Sequence, residues 1–351
     1  MDVYSGRQRF HHVNKVLVRG ILSKRAPRGI GGTADLREAP MKIRFLWLLG
    51  CFMAASISGA QTAAMRPKIL GIAHMAFYVS NLPKTLEYYK NFLGFAEPYD
   101  LKNGDGATRV AFIKINDYQY LELFSERPKN DGMLNHVAFR TNNVDQLRRY
   151  LISRGVHVPS NVRIGRTGDK SLTVKDPDGH TVEFVEYEAD GWAMKHRGKD
   201  LPATRVSDHV MHIGFTVGAL ERSKDFYSNI LGFKEFWRGS SNAVTLSWVD
   251  LRVPDGKDYI ELMLYKQLPP QDKRGGDNHI SLMTPDIARA VATLRSRAAA
   301  VGYTRKIEIH VGHNRQRQAN FFDPDGTRTE LMEPFTIDGK PTPPSTAPPP
   351  R

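Results

Sequence analysis

Only one cysteine, Cys51, occurs in the 351 residues. That excludes a disulfide framework and any cysteine-built zinc cluster, since each needs several thiols. The chain also lacks a G-x-S-x-G nucleophile turn, a G-x-x-x-x-G-K-[ST] phosphate loop and an H-E-x-x-H pair. Serine-nucleophile, P-loop and thermolysin-like chemistry therefore have no signature here. Long apolar runs are missing too, because the best candidate, residues 45–57, is short for a bilayer crossing. What the chain has in excess is positive charge, +13 overall, yet its first 60 residues hold ten Lys/Arg against three Asp/Glu. The remainder is only weakly basic and carries no basic, aromatic-studded run, so no nucleic-acid partner is expected.

The termini read as separate from the fold. Residues 1–40 are Gly/Arg-rich without periodicity and read as an over-long start or a disordered extension. From Met41, "MKIRFLWLLGCFMAASISGAQ" runs from basic Lys42 and Arg44 through an apolar stretch to small Ser58 and Ala60. This is the layout of a signal peptide over 41–60, and it implies an exported, periplasmic or extracellular protein with no stable membrane span after cleavage. "LLGC" also allows a lipid anchor at Cys51 as the lesser alternative. Residues 336–351, "TIDGKPTPPSTAPPPR", are Pro-rich and read as an extended, disordered tail.

Between these ends one unit is written four times. Short strands carrying a histidine recur as "HMAFYV" (His74), "HVAFRT" (His136), "HIGFTV" (His212) and "HISLMT" (His279). Each leads into a helical stretch that closes on glycine: Gly94, Gly155, Gly232 or Gly302. In the first, Leu82, Leu86 and Tyr89 recur at helical spacing. Each unit ends in a strand with a central glutamate: Glu122, Glu183, Glu261 and Glu330. Counted from their positions, histidine and glutamate stand 48, 47, 49 and 51 residues apart. Units one and two occupy 69–188, a polar connection spans 189–208, and units three and four occupy 209–335. Twice the last strand follows a Pro-containing turn, "DPDGHTVEFVE" from Asp176 and "DPDGTRTELME" from Asp323. Pro at the second place and Gly at the fourth suit a type I turn.

A glutamate in an apolar strand needs compensation, because an unpaired buried carboxylate costs several kcal/mol. Strand alternation puts Met75, Phe77 and Val79 on the helix-covered side and His74 on the other, with Ile213, Phe215 and Val217 likewise opposite His212. Leu121 and Leu123 flank Glu122, and Ile260 and Leu262 flank Glu261. All four histidines and all four glutamates thus line the concave side of curved sheets. Two imidazoles and two carboxylates per half suit a divalent metal such as Ni, Co, Zn, Mn or Fe. A lone strand histidine would more often serve the backbone; matched repetition of the pair argues for a metal. His209, His157, His180, His196, His310 and His313 fall outside this pattern and are given no catalytic role, and His209, three residues before His212, is expected on the opposite face.

On its "FY…LGF", "DPDG" and "ELM"-type motifs the chain resembles the vicinal oxygen chelate superfamily, which includes glyoxalase I, extradiol dioxygenases, methylmalonyl-CoA epimerase and bleomycin-resistance proteins. The resemblance runs from Ile69 to Phe335. It implies an α+β fold of four βαβββ modules paired into two glyoxalase-like cupped-sheet domains. It implies one ligand set of His74, Glu122, His136 and Glu183 and another of His212, Glu261, His279 and Glu330. Four ligands per set look like glyoxalase I, a metal-dependent lyase working through an enediolate on a small oxygenated substrate, with Glu183 and Glu330 as bases. Extradiol dioxygenases, the second reading, usually use two histidines and the final glutamate, here His212, His279 and Glu330. They usually place a tyrosine ten residues before that glutamate, where this chain has Asn320 and, in the first half, Thr173. A small-ligand-binding protein without turnover is the third. Whether modules pair within a half or swap between halves stays open, as does a monomer or homodimer.

Overall fold

The computed structural model describes residues 64–126 and 133–350. The expected extension, signal segment and Cys51 lie outside the described residues. Among those described, no helix is long and apolar enough to cross a membrane.

The first half contains β1 (Ile69–Tyr78), α1 (Leu82–Glu87), β2 (Ala96–Lys102), β3 (Thr108–Lys114), β4 (Tyr120–Phe124), β5 (Leu134–Thr141), α2 (Val144–Ser153), β6 (Arg163–Ile164), β7 (Lys170–Lys175) and β8 (Thr181–Glu186). A one-turn helix, α3 (Trp192–Lys195), lies in the connection. The second half repeats the order as β9 (Val210–Val217), α4 (Leu220–Lys224), β10 (Lys234–Gly239), β11 (Trp248–Arg252), β12 (Tyr259–Leu264), β13 (His279–Met283), α5 (Ile287–Ala298), β14 (His310–Val311), β15 (Gln316–Phe322) and β16 (Arg328–Thr336). Two eight-stranded sheets result, ordered β2-β3-β4-β1-β5-β8-β7-β6 and β10-β11-β12-β9-β13-β16-β15-β14. Modules therefore pair within each half, which settles the open alternative against swapping.

Local chemistry accounts for the helices. Asn81, Asn143 and Asp286 accept from the backbone N–H three residues on and so cap α1, α2 and α5. The helices begun by α1 and α4 continue as π-turns over Tyr88–Phe92 and Asp225–Ile230. The wider turn changes the spacing, so Tyr88, Tyr89 and Phe92 are all buried while Leu82 and Leu86 are only partly so. The expected closing glycine is needed at Gly94, whose φ is +83° and where a Cβ would lie 2.1 Å from the Thr204 carbonyl oxygen.

Both repeated turns close identically. The Gly179 and Gly326 N–H groups donate to the Asp176 and Asp323 carbonyls at 3.0 Å. The two leading aspartates each accept from the backbone N–H two and four residues on. Helices of both halves pack into one continuous core, in which Phe139 meets Phe233 edge-on at 5.2 Å and Phe92 stacks on Tyr303 at 4.6 Å.

The tail departs from expectation. It is extended, as its prolines require, but it is seated and not loose: Ser345 N–H donates to the Arg238 carbonyl and Leu246 N–H to the Pro348 carbonyl. Those groups lie at and beyond the end of β10, where edge-strand carbonyls and amides are free to pair with an incoming chain.

Candidate metal centres

In both central strands an extra residue precedes the histidine. Ile72 pairs with Phe139 and His74 with Ala138, leaving Ala73 bulged; Val210 pairs with Leu282 and His212 with Ser281, leaving Met211 bulged. A bulge reverses which face the preceding residues occupy. Ile72 therefore shares the core with Met75, Phe77 and Val79, while Ala73 packs with Ala138 and Val185 beside the site. The same inversion corrects the placement of His209, expected to face away from His212. His209 and Met211 line the concave cavity of the second half, and the His209 ring pairs with Asp258 at 2.9 Å.

The first half gathers its whole expected set. His74 Nε2 and His136 Nε2 lie 2.8 Å apart, and Glu183 Oε2 stands 3.0 Å from the first and 3.2 Å from the second. Glu122 lies 3.6 Å from His74 and 3.7 Å from His136. The Nδ1 of His136 lies 2.9 Å from Asn135 Oδ1. An acceptor there places the ring proton on Nδ1 and leaves Nε2 a free lone pair, as metal ligation requires. Burial alone would lift the Glu183 carboxyl. Hydrogen bonds and charge from His136 and His74 outweigh it and hold the group well below the usual carboxylate range. Burial lowers His74, but Glu122 and Glu183 more than offset this and raise it. Nitrogens and carboxylates facing one point fit a divalent ion better than one another.

These four residues line a cavity of about 320 Å³. Its walls include Trp192, which stacks on Tyr99 at 4.9 Å, and three guanidinium groups, Arg109, Arg163 and Arg166. None of these wall residues was singled out from sequence. Arg163 lies in the two-residue β6, Arg166 just beyond it and Trp192 in the connection, all too short or irregular for periodicity to mark a facing.

The second half gathers the corresponding set more tightly walled. His212 Nε2 and His279 Nε2 are 3.1 Å apart, Glu330 Oε2 is 3.3 Å from His212, and Glu261 Oε2 is 3.4 Å from His279. In each half a His–Glu–His triad, His74/Glu122/His136 or His212/Glu261/His279, brings its ligand atoms within 4.8 Å, close enough to hold a metal ion. The surroundings differ. Both second-half histidines are 0% exposed, and the Tyr259 ring lies over His212 at 4.6 Å. A cavity of about 570 Å³ in this half is lined by Tyr259, Asp250 and Met211, and its lining does not include the four ligands. Asp250, paired across the strands with Glu261, stands where the first half has Phe112 opposite Glu122. Burial, then Glu261 and Glu330, lift the Asp250 carboxyl well above its ordinary value. Burial also lifts Glu261, whereas His212 pulls Glu330 below the ordinary range against its burial. His279 is pushed well down by burial and then by Arg328.

The model of the Glyoxalase/Bleomycin resistance protein/Dioxygenase superfamily matches residues 71–184 and 208–331. A 4-hydroxyphenylpyruvate dioxygenase of Yarrowia lipolytica is 25% identical over 198 residues, 48% of this chain and 50% of that protein. Glyoxalase I of Saccharomyces cerevisiae is 26% identical over 99 residues, 28% of each. An extradiol ring-cleaving dioxygenase from Brevibacterium fuscum superposes with a TM-score of 0.59 at 20% identity, over 81% of this chain and 77% of that one. The chain spans about half the length of the Yarrowia relative.

Proposed function

The chain belongs to the Glyoxalase/Bleomycin resistance protein/Dioxygenase superfamily, and from that premise we propose that it is an exported metal-dependent lyase or isomerase acting on a small oxygenated anion. The observation that carries this is the first-half cavity, lined by all four of His74, Glu122, His136 and Glu183. The ion held there, when bound, polarises a carbonyl oxygen as a Lewis acid.

The chain's own residues supply the rest. Glu183 is the base: its Oε2 lies between the two histidines and faces the cavity, placed to take a proton from a carbon next to the substrate carbonyl. Arg109, Arg163 and Arg166 favour a substrate carboxylate. Trp192, Phe112 and Tyr120 form an apolar wall against its carbon skeleton. His74, Glu122 and His136, whose ligand atoms lie within 4.8 Å of one another, would hold the ion while Glu183 moves the proton.

The test is hydrogen–deuterium exchange by NMR at the carbon beside the carbonyl, across small 2-oxo and 2-hydroxy compounds with and without a carboxylate. Exchange should depend on metal, favour the carboxylates, and fall about 100-fold or more in Glu183→Gln. Oxygen uptake with a catechol, and no exchange, would replace this reading by the second one, a ring-cleaving dioxygenase. That second reading is supported by the dioxygenases among the similar proteins and would use His212, His279 and Glu330. Export rests on the basic–apolar–small order of residues 41–60. It predicts a mature chain starting near Gln61 outside the cytoplasm; an uncleaved chain retained inside the cell ends that part.

A further inference from the structure

The two candidate centres differ most at the outer nitrogen of one histidine. In the first half His136 Nδ1 faces Asn135 Oδ1, an acceptor. The matching asparagine of the second half, Asn278, is turned elsewhere, its Oδ1 accepting from Thr216 N–H at 3.2 Å. Its place at the ring is taken by Arg328, whose Nη2 lies 2.7 Å from His279 Nδ1. Arg328 stands two residues before Glu330 and pairs with His279 across the sheet; at the same position the first half has Thr181, two residues before Glu183.

We propose that the second half carries no metal ion in the working protein, and that the Arg328 guanidinium at the His279 ring is the built-in cation of that site. A guanidinium has only donors, so Nδ1 of His279 must be the acceptor of that contact. The proton of the neutral ring then sits on Nε2, the atom facing His212 Nε2 and Glu261 Oε2 at 3.1 and 3.4 Å. An N–H at that point offers no lone pair to an ion. The fixed positive charge one ring away opposes a second cation. The Asp277 carbonyl, 3.1 Å from the same Nδ1, would be the natural partner if Nε2 bound metal, so metal entry requires Arg328 to leave. Two contacts oppose that departure, since Arg328 Nη2 lies 2.7 Å from His279 Nδ1 and 3.8 Å from Met263 Sδ.

The inference rests on the metal reading of the first half for its contrast, and the test separates the two. Full-length protein is equilibrated with excess Co(II), desalted, and analysed for cobalt per chain. The expected content is about one ion, falling to near zero in His74→Ala and unchanged in His212→Ala. Arg328→Thr, which installs the first-half residue, should raise the content to about two, and His212→Ala in that background should return it to about one. A wild-type content of about two, with one ion lost in His212→Ala, overturns the proposal. No cobalt in wild type would sink the first-half reading alone: the second proposal then stands if Arg328→Thr gains an ion and falls if it gains none. Should Arg328→Thr lose its native circular dichroism, the His212→Ala comparison in the wild-type background decides.

Discussion

At the scale of the residue, the two aspartates that open the repeated D-P-D-G turns keep different partners. Asp176 shares its carboxylate with two backbone N–H groups, His180 Nδ1 and the Tyr227 hydroxyl. Asp323 accepts from the Asp325 and Thr327 N–H groups through Oδ1, but its Oδ2 is buried without a partner. Burial therefore lifts Asp323 from 3.8 to about 7. The folded value exceeds the unfolded one, so the neutral carboxyl favours folding fully below about pH 4. That contribution, of order 4 kcal/mol, is lost as pH rises through about 7. Thermal stability should consequently decline from about pH 4 to about pH 7 and level off above it. In Asp323→Asn, which keeps the Oδ1 acceptor and cannot ionise, the decline should flatten; an equal slope in both proteins would show the carboxyl is solvated. The turn itself was legible in "DPDG". That the first copy would gain the Tyr227 hydroxyl as a partner was not, because Tyr227 is brought in from the other half.

At the scale of the element, histidine, glutamate and closing glycine were readable because strands repeat every two residues and helices end on positive φ. The bulges at Ala73 and Met211 were not, since an extra residue disturbs pairing without changing composition. The closing glycines also differ in a way only neighbours decide. Gly155 has a φ of +75° with open space around a would-be Cβ, whereas Gly94 faces the Thr204 carbonyl. Gly155→Ala should cost about 1 kcal/mol, from backbone strain alone. Gly94→Ala should cost clearly more, about 3 kcal/mol or above, because backbone must move as well. Urea denaturation of the two variants compares them directly, and equal costs would mean the connection at Thr204 yields freely.

At the scale of the whole molecule, the halves are joined by more than their connection. The Asp178 carboxylate of the first half accepts from Gly218 N–H at the end of β9, and the Asp325 carboxylate of the second accepts from Ser80 N–H just beyond β1. Gln119 pairs through its amide with both the N–H and the carbonyl of Val210, and Asp258 reaches back to Ile72 N–H. With the aromatic core shared as well, neither half should be stable alone. A fragment ending within the 189–208 connection should show a broad, non-cooperative thermal transition, and mixing with its complement should restore a cooperative one. A single half that melts cooperatively would contradict the shared core.

The sequence by itself determined the repeat and the histidines and glutamates that share a face, because strand and helix periods convert spacing directly into facing, while the fold class and the two ligand sets came from the resemblance its motifs carry. Tertiary structure alone decided that modules pair within each half, that the first cup opens past Arg109, Arg163, Arg166 and Trp192, and that the second is closed by Tyr259 with Arg328 at its histidine. These depend on contacts between segments with no common period, so what each of two near-identical ligand sets can bind is settled by the neighbours packed around it.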